Sequence, residues 1–295
     1  MTAVRLLKLL SASVSLFAAA CVADPGATAT GDLTLVDGTP AVHMLPMHTG
    51  GAVANAAPPN AHLNDYGGPT LTNIRVFPIY WNSGVQFKST LDPFYNDVPN
   101  SPIYTMLGQY GVGHGSGRPG VTGSQSTRNI MDSEIRTEVL IEMNQGKVPF
   151  PTDPNNYYPV HFPPNMQVTA PDGTHSCVFF CAYHGTFWVQ DVNGRTFRIN
   201  YGALPDLGGA CAGGCGDDTI FNNTTSVASH ELVEATTDPA VGLATTIGFP
   251  LAWYDPSYGE IGDICGHQHG TTTGNGHTYV VQYEFSNSAN DCVLQ

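Results

Sequence analysis

The chain has 295 residues, of which 24 are acidic and 10 basic, for a formal charge of −14. So large an acidic excess argues against nucleic acid and anionic membrane surfaces as partners. It fits a soluble extracellular protein or one with a cationic substrate.

In chain order, Arg5 and Lys8 flank a short apolar run from Leu9 to Ala20, too short to cross a membrane. Residues 1–21 therefore read as an export signal. Ala18-Ala19-Ala20 suits ordinary cleavage, and Cys21 directly after it opens a second reading, lipidation of Cys21 behind an imperfect lipobox. The product is then secreted, or anchored outside the cell as a lipoprotein. Loss of two basic residues with the signal takes the formal charge to about −16. Residues 22–70, rich in Ala, Gly, Pro and Thr with little apolar periodicity, read as a flexible tether or pro-segment. Residues 71–295 are enough for one domain with a substantial core.

That domain opens on a strand-like run, Ile74 to Trp81, where Pro78 suggests an edge or a bulge. A helical stretch from Thr90 to Gln109 is interrupted by Pro93, Pro99 and Pro102. Gly111 to Ser126 is a Gly-rich loop. Asp132 to Gln145 predicts a helix, capped by Asp132, with Ile135, Val139 and Met143 on one face and Gly146 at its end. Tyr157 to Phe162 reads as a strand. Asn193-Gly194 between Phe187-Trp-Val-Gln190 and Arg195 to Tyr201 predicts a two-residue hairpin. A last strand runs from Tyr279 to Phe285. Strands interleaved with few helices predict an α+β, or mixed α/β, domain.

Cys177, Cys181, Cys211, Cys215, Cys265 and Cys292 remain once Cys21 is set aside. An even set behind an export signal predicts three disulfides, with connectivity open. A four-cysteine zinc site from Cys177, Cys181, Cys211 and Cys215 is the competing reading. Cys177 and Cys181 cannot pair within a straight strand, because four residues span about 13 Å there and a disulfide needs Cα atoms within about 7 Å.

The segment richest in chemistry is His230-Glu-Leu-Val-Glu234, an H-E-x-x-E variant of the H-E-x-x-H signature of zinc hydrolases. On a helix, residues four apart share a face, so His230 and Glu234 can reach one metal. Glu231 stands about 100° round the helix, placed to activate water without ligating. Ala228, Leu232 and Ala235 form an apolar stripe that buries the helix, and buried carboxylates need a partner or a metal. Glu260 is the expected third ligand, from a segment C-terminal to the helix as in zincins, with His184 as its imidazole substitute. Asp263 and Asp238 are expected to orient the ligands. His267, His269 and His277 read equally well as solvated loop histidines. Calcium bound by Asp255, Glu260 and Asp263 is a further option, as is simple loop-stitching by these carboxylates.

Several blocks together resemble the phosphate-induced, or Exordium-like, family of secreted proteins in its bacterial and fungal branch. They are Cys177-x3-Cys181-x2-His184-Gly185, Cys211-x3-Cys215, Ser229 to Pro239, Trp253-Tyr-Asp255, Gly259 to Cys265, and Val281-Gln-x3-Ser286-Asn287 before Cys292. The resemblance implies an extracellular protein but not catalysis, since plant members lack the His-Glu pair. The enzymatic expectation rests on His230, Glu231 and Glu234 themselves.

The expectation is a secreted zinc hydrolase, a metallopeptidase of zincin type acting on peptide or protein. Its substrate is expected along an edge strand near Phe187 or Ile199. The rival expectation is a non-catalytic cell-wall protein in which Trp253 and Tyr254 contact glycan and any metal is structural.

Overall fold

The computed structural model describes residues 31–36, 38, 41–48 and 56–295. The export signal and Cys21 lie outside the described residues. Nine strands make the main sheet: β1 (Thr34–Leu35), β2 (Ala41–Pro46), β3 (Arg75–Val76), β4 (Ile79–Tyr80), β5 (Ser116–Gly117), β6 (Val121–Thr122), β7 (Asn156–His161), β8 (Phe180–Gln190) and β9 (Thr196–Leu204). The helices are α1 (Lys88–Asp97), α2 (Pro102–Met106), α3 (Asp132–Asn144) and α4 (Ile220–Thr237). With smaller sheets around it, the architecture is mixed α/β.

Strands β8 and β9 form an antiparallel hairpin, and β9 runs parallel to β7. Beyond β7 lie β3 and β4, then β5 and β6, all parallel. The run Ile74 to Trp81 is split into β3 and β4 around Pro78, which has no N–H to give the ladder. Both pieces are interior to the sheet, so the proline marks a break and not an edge.

Successive side chains of a strand face opposite ways, and β8 shows what that does. Tyr183 hydrogen-bonds Asp132 of α3 at 2.8 Å, and the next residue, His184, meets Glu231 of α4 at 3.2 Å. Helices α3 and α4 therefore cover opposite faces. The same bond corrects a sequence expectation. Met131 occupies the cap position of α3, while Asp132 is buried and accepts from the hydroxyls of Tyr183 and Tyr201 and from Arg136. The hairpin also differs from expectation. Asp191 N–H bonds Arg195 O, closing a three-residue loop with Gly194 at φ +79°, the longer hairpin type that needs a left-handed residue.

The segment read as a tether supplies β1 and β2, both antiparallel to β8. Their long-range pairing with the open backbone of β8 overrides weak local periodicity. The expectation of an accessible edge near Phe187 or Ile199 falls with it. Both residues sit on strands paired on two sides, β8 between β9 and β1–β2, and β9 between β8 and β7.

All six cysteines pair, as Cys177–Cys211, Cys181–Cys215 and Cys265–Cys292. That removes the four-cysteine zinc reading and indicates an oxidising environment. No helix among the described residues is long and apolar enough to cross a membrane. Cys265–Cys292 ties the segment carrying Glu260 and Asp263 to the C-terminal hairpin of β12 (Glu284–Ser286) and β13 (Asp291–Val293), which follows the hairpin of β10 (His269–Gly274) and β11 (His277–Gln282). Its sequence separation of 27 residues corresponds to about 3.5 kcal/mol of chain-entropy stabilisation. The double variant Cys265→Ser, Cys292→Ser is expected to lower the melting temperature by about 10 °C. Calorimetry showing no change would mean that this link constrains nothing.

Candidate metal centre

Helix α4 begins at Thr219, whose hydroxyl accepts from Asn222 N–H at 3.2 Å, and ends at Asp238 ahead of Pro239. From Val227 to Thr237 every side chain is buried, as the apolar stripe predicts. The hydroxyls on this buried helix satisfy themselves on their own turns. Ser229 donates to Ser226 O, Thr236 to Leu232 O and Thr237 to Val233 O. The buried carboxylates have no such local outlet.

Four elements meet at the motif face. Helix α4 brings His230, Glu231 and Glu234. Strand β8 brings His184, and β2 places His43 directly opposite it in register. The segment after Asp255 brings Glu260 and Asp263. Asp255 stays out, because its oxygens take the N–H groups of His62, Ser257 and Tyr258 and stitch the loop. The calcium triple therefore does not converge.

Close approach of this segment to the helix requires Gly262. A Cβ there would lie 2.4 Å from His230 Nδ1 and 2.9 Å from Glu234 Oε1. Gly262→Ala is expected to push the loop off the helix and weaken metal binding by at least about tenfold, the cost of misplaced ligands and partners. Zinc titration of the folded variant checks this, and unchanged affinity would contradict the geometry.

Each imidazole is held by one nitrogen and presents the other to carboxylates. His184 Nδ1 bonds Glu231 Oε2 at 3.2 Å, leaving Nε2 at 3.7 Å from Glu260 Oε1. His43 Nε2 bonds Asp263 Oδ2 at 2.7 Å, leaving Nδ1 at 3.4 Å from Glu260 Oε2. His230 Nδ1 lies 2.7 Å from Gln282 Nε2, and its Nε2 is 3.0 Å from Glu234 Oε2. Gln282 also donates to Gly262 O at 2.9 Å. A proton on His230 Nε2 points at Glu234, while the Gln282 side chain covers Nδ1. A cation at Nε2 displaces the proton and needs Gln282 to turn its oxygen toward the ring.

The presented atoms are unpartnered. His184 Nε2, His230 Nε2, Glu231 Oε1, Glu234 Oε2 and both Glu260 oxygens are buried without a hydrogen bond. Buried polar atoms are nearly always satisfied, so such a cluster in one place marks a candidate cation site. A tetrahedral zinc with bonds of about 2.1 Å holds its ligand atoms about 3.4 Å apart. The contacts of 3.0, 3.4 and 3.7 Å straddle that separation. Imidazole nitrogen with carboxylate oxygen is a donor set zinc accepts.

Electrostatics agree with an overloaded acidic pocket. Burial raises the Glu231 pKa to about 7, against the pull of His230 and His43. Burial, then repulsion from Glu234, Asp238 and Asp263, lifts Glu260 well above the carboxylate range. Burial lowers His184 to about 4. Burial alone would also lower His230 and His43, but Glu234 beside the first and Asp263 beside the second raise them to about 10 and about 9. Protons thus do the neutralising when no cation is bound.

Of the residues expected from sequence, His184, His230, Glu231, Glu234, Glu260 and Asp263 come together. Asp263 bonds His43, takes Glu260 N–H at 3.1 Å and gives its own N–H to Glu234 Oε1 at 3.1 Å. Asp238 is buried nearby, and its carboxylate accepts from Ala252 N–H. His267 packs on His48, His269 faces Asp217 and His277 bonds Asp97, all apart from the cluster. Trp253 is half-buried, packed against Tyr110 with the rings tilted by 60°, and bonded to its carbonyl. Sequence reasoning missed His43, Gln282 and Glu284, the last fully buried with both oxygens unpartnered. His43 stands in the short apolar stretch Ala41 to Leu45, which carries no periodicity that singles it out. No protein-family profile, curated protein or solved structure matches this chain.

Proposed function

We propose that the protein is an exported zinc-dependent hydrolase of zincin type, cleaving peptide bonds. The observation carrying this is the convergence of unpartnered buried donors from α4, β8 and the Glu260 segment on the H-E-x-x-E face. His230, Glu234, Glu260 and His184 would hold the cation. Zinc, when bound, supplies Lewis acidity toward the scissile carbonyl and acidifies water. Glu231 fits the part of general base. Its Oε2 steadies His184, its Oε1 has no partner, and a pKa near the operating pH suits a group that must take a proton and return it. It would accept the proton of the attacking water and deliver it to the leaving amine. The three disulfides support an extracellular, oxidising setting, and the chemistry is left to these residues.

Zinc analysis of purified protein, with labelled casein as substrate before and after chelation, tests the reading. Bound zinc and casein cleavage that is lost to chelator and restored by zinc are expected. Protein without stoichiometric zinc after incubation in zinc sinks it.

A further inference from the structure

The cluster contains more donors than one zinc ion can use. His43, His184, His230, Glu231, Glu234, Glu260 and Asp263 form three overlapping groups of close ligand atoms, and Glu234 belongs to all three. His43 and His230 never share a group. Toward one end, Glu260 spans His184 Nε2 at 3.7 Å and His43 Nδ1 at 3.4 Å. Toward the other, Glu234 Oε2 faces His230 Nε2 at 3.0 Å and His184 Nδ1 at 3.7 Å. His184 thus has a ring nitrogen toward each end, and Glu234 lies between them.

Charge points the same way. Glu231, Glu234, Glu260 and Asp263 are four carboxylates, and the ion pairs found among them are with imidazoles and not with Lys or Arg. One divalent ion balances half of that charge. Ligands must shed their protons to bind a metal, and two divalent ions balance four ionised carboxylates. Co-catalytic ions lie about 3.5–4 Å apart, a separation one shared carboxylate bridges.

We propose that this site binds two divalent cations, with Glu234 shared between them. One is held at the His230 end. The other is held by His43 and Glu260, which form one group with the shared Glu234, so the ligands of the single-ion reading divide between two ions. This rests on the metal reading above and adds to it a second ion and an N-terminal ligand, His43. His43 is set for the role, because Asp263 Oδ2 holds its far nitrogen and leaves the near one, Nδ1, facing Glu260.

The test is metal stoichiometry of the full chain. Protein saturated with zinc and freed of excess by gel filtration is expected to hold two zinc ions per chain by mass spectrometry. His43→Ala is expected to hold one. His43 sits on an outer strand with its side chain a quarter exposed, so its loss leaves little cavity. Circular dichroism checks the fold, and Glu260→Gln, also expected to hold one ion, covers the case in which His43→Ala does not fold. Cobalt substitution adds a second readout, since two ions bridged by Glu234 couple magnetically. One zinc per chain at saturation overturns this proposal and leaves the hydrolase intact. No zinc overturns both. Two ions that survive both substitutions place the second ion elsewhere, and this assignment fails.

Discussion

Glu231→Gln is expected to lower the rate of casein cleavage by about 10²–10⁴-fold while leaving the zinc content as it was. The amide keeps the shape of the carboxylate, and its oxygen can still accept from His184 Nδ1, which lies 3.2 Å from Glu231 Oε2. The ring orientation therefore survives. Lost is the capacity of the second oxygen, buried and unpartnered, to take a proton. A general base with a pKa of about 7 also predicts a rate that rises with pH as the group ionises, and the Gln variant should lose that limb. The joint readout separates the roles. Loss of zinc together with activity would make Glu231 a support for the metal site. Undiminished activity with zinc retained would remove it from the chemistry and with it the zincin-type mechanism.

What was legible beforehand was whatever a local pattern encodes. The four-residue spacing of His230 and Glu234, the poverty of charge around them and the apolar stripe at Ala228, Leu232 and Ala235 marked a buried, chemically loaded helix, and α4 is that helix. Glu260 was expected from its place C-terminal to the motif helix, and His184 as its imidazole substitute. The sheet brings them to the same pocket, so the choice between them dissolves. His43 was hidden for the opposite reason. It lies in a stretch whose composition reads as linker, and its position is fixed by pairing with His184 across 141 residues of sequence, which no short-range periodicity records. Gln282 is of the same kind, placed by its own N–H bond to Ser229 on α4. Asp132 shows the limit of capping rules. A residue type that suits the start of a helix was drawn instead to two buried tyrosines, where a carboxylate satisfies more hydrogen-bond donors.

The stabilisation that zinc confers should grow as pH rises from about 7 to about 9, through opposite proton demands of the two states. Without a cation, folded His230 and His43 keep their protons up to about 10 and about 9 because Glu234 and Asp263 hold them. In the unfolded chain both revert to the ordinary value of about 6.5. Between those limits the folded form binds more protons than the unfolded one, so stability falls with rising pH. Glu231, raised to about 7, acts with the same sign from about 4.5 upward. His184, lowered to about 4, acts oppositely, but its window closes near 6.5. Above pH 7 the raised groups alone decide. The two histidines draw on neighbouring carboxylates, so their effects do not simply add, and the metal-free protein is expected to lose on the order of 2–3 kcal/mol over this range. Zinc takes the place of those protons and gains up to about tenfold in affinity per pH unit for each one displaced. Melting temperatures measured in chelator and in micromolar zinc at three pH values give the comparison. The separation should widen by about 5 °C or more from pH 7 to pH 9. A separation that stays constant or narrows would mean that His230 and His43 do not exchange protons for metal, and the cluster would then be an acid–imidazole network held together by shared protons.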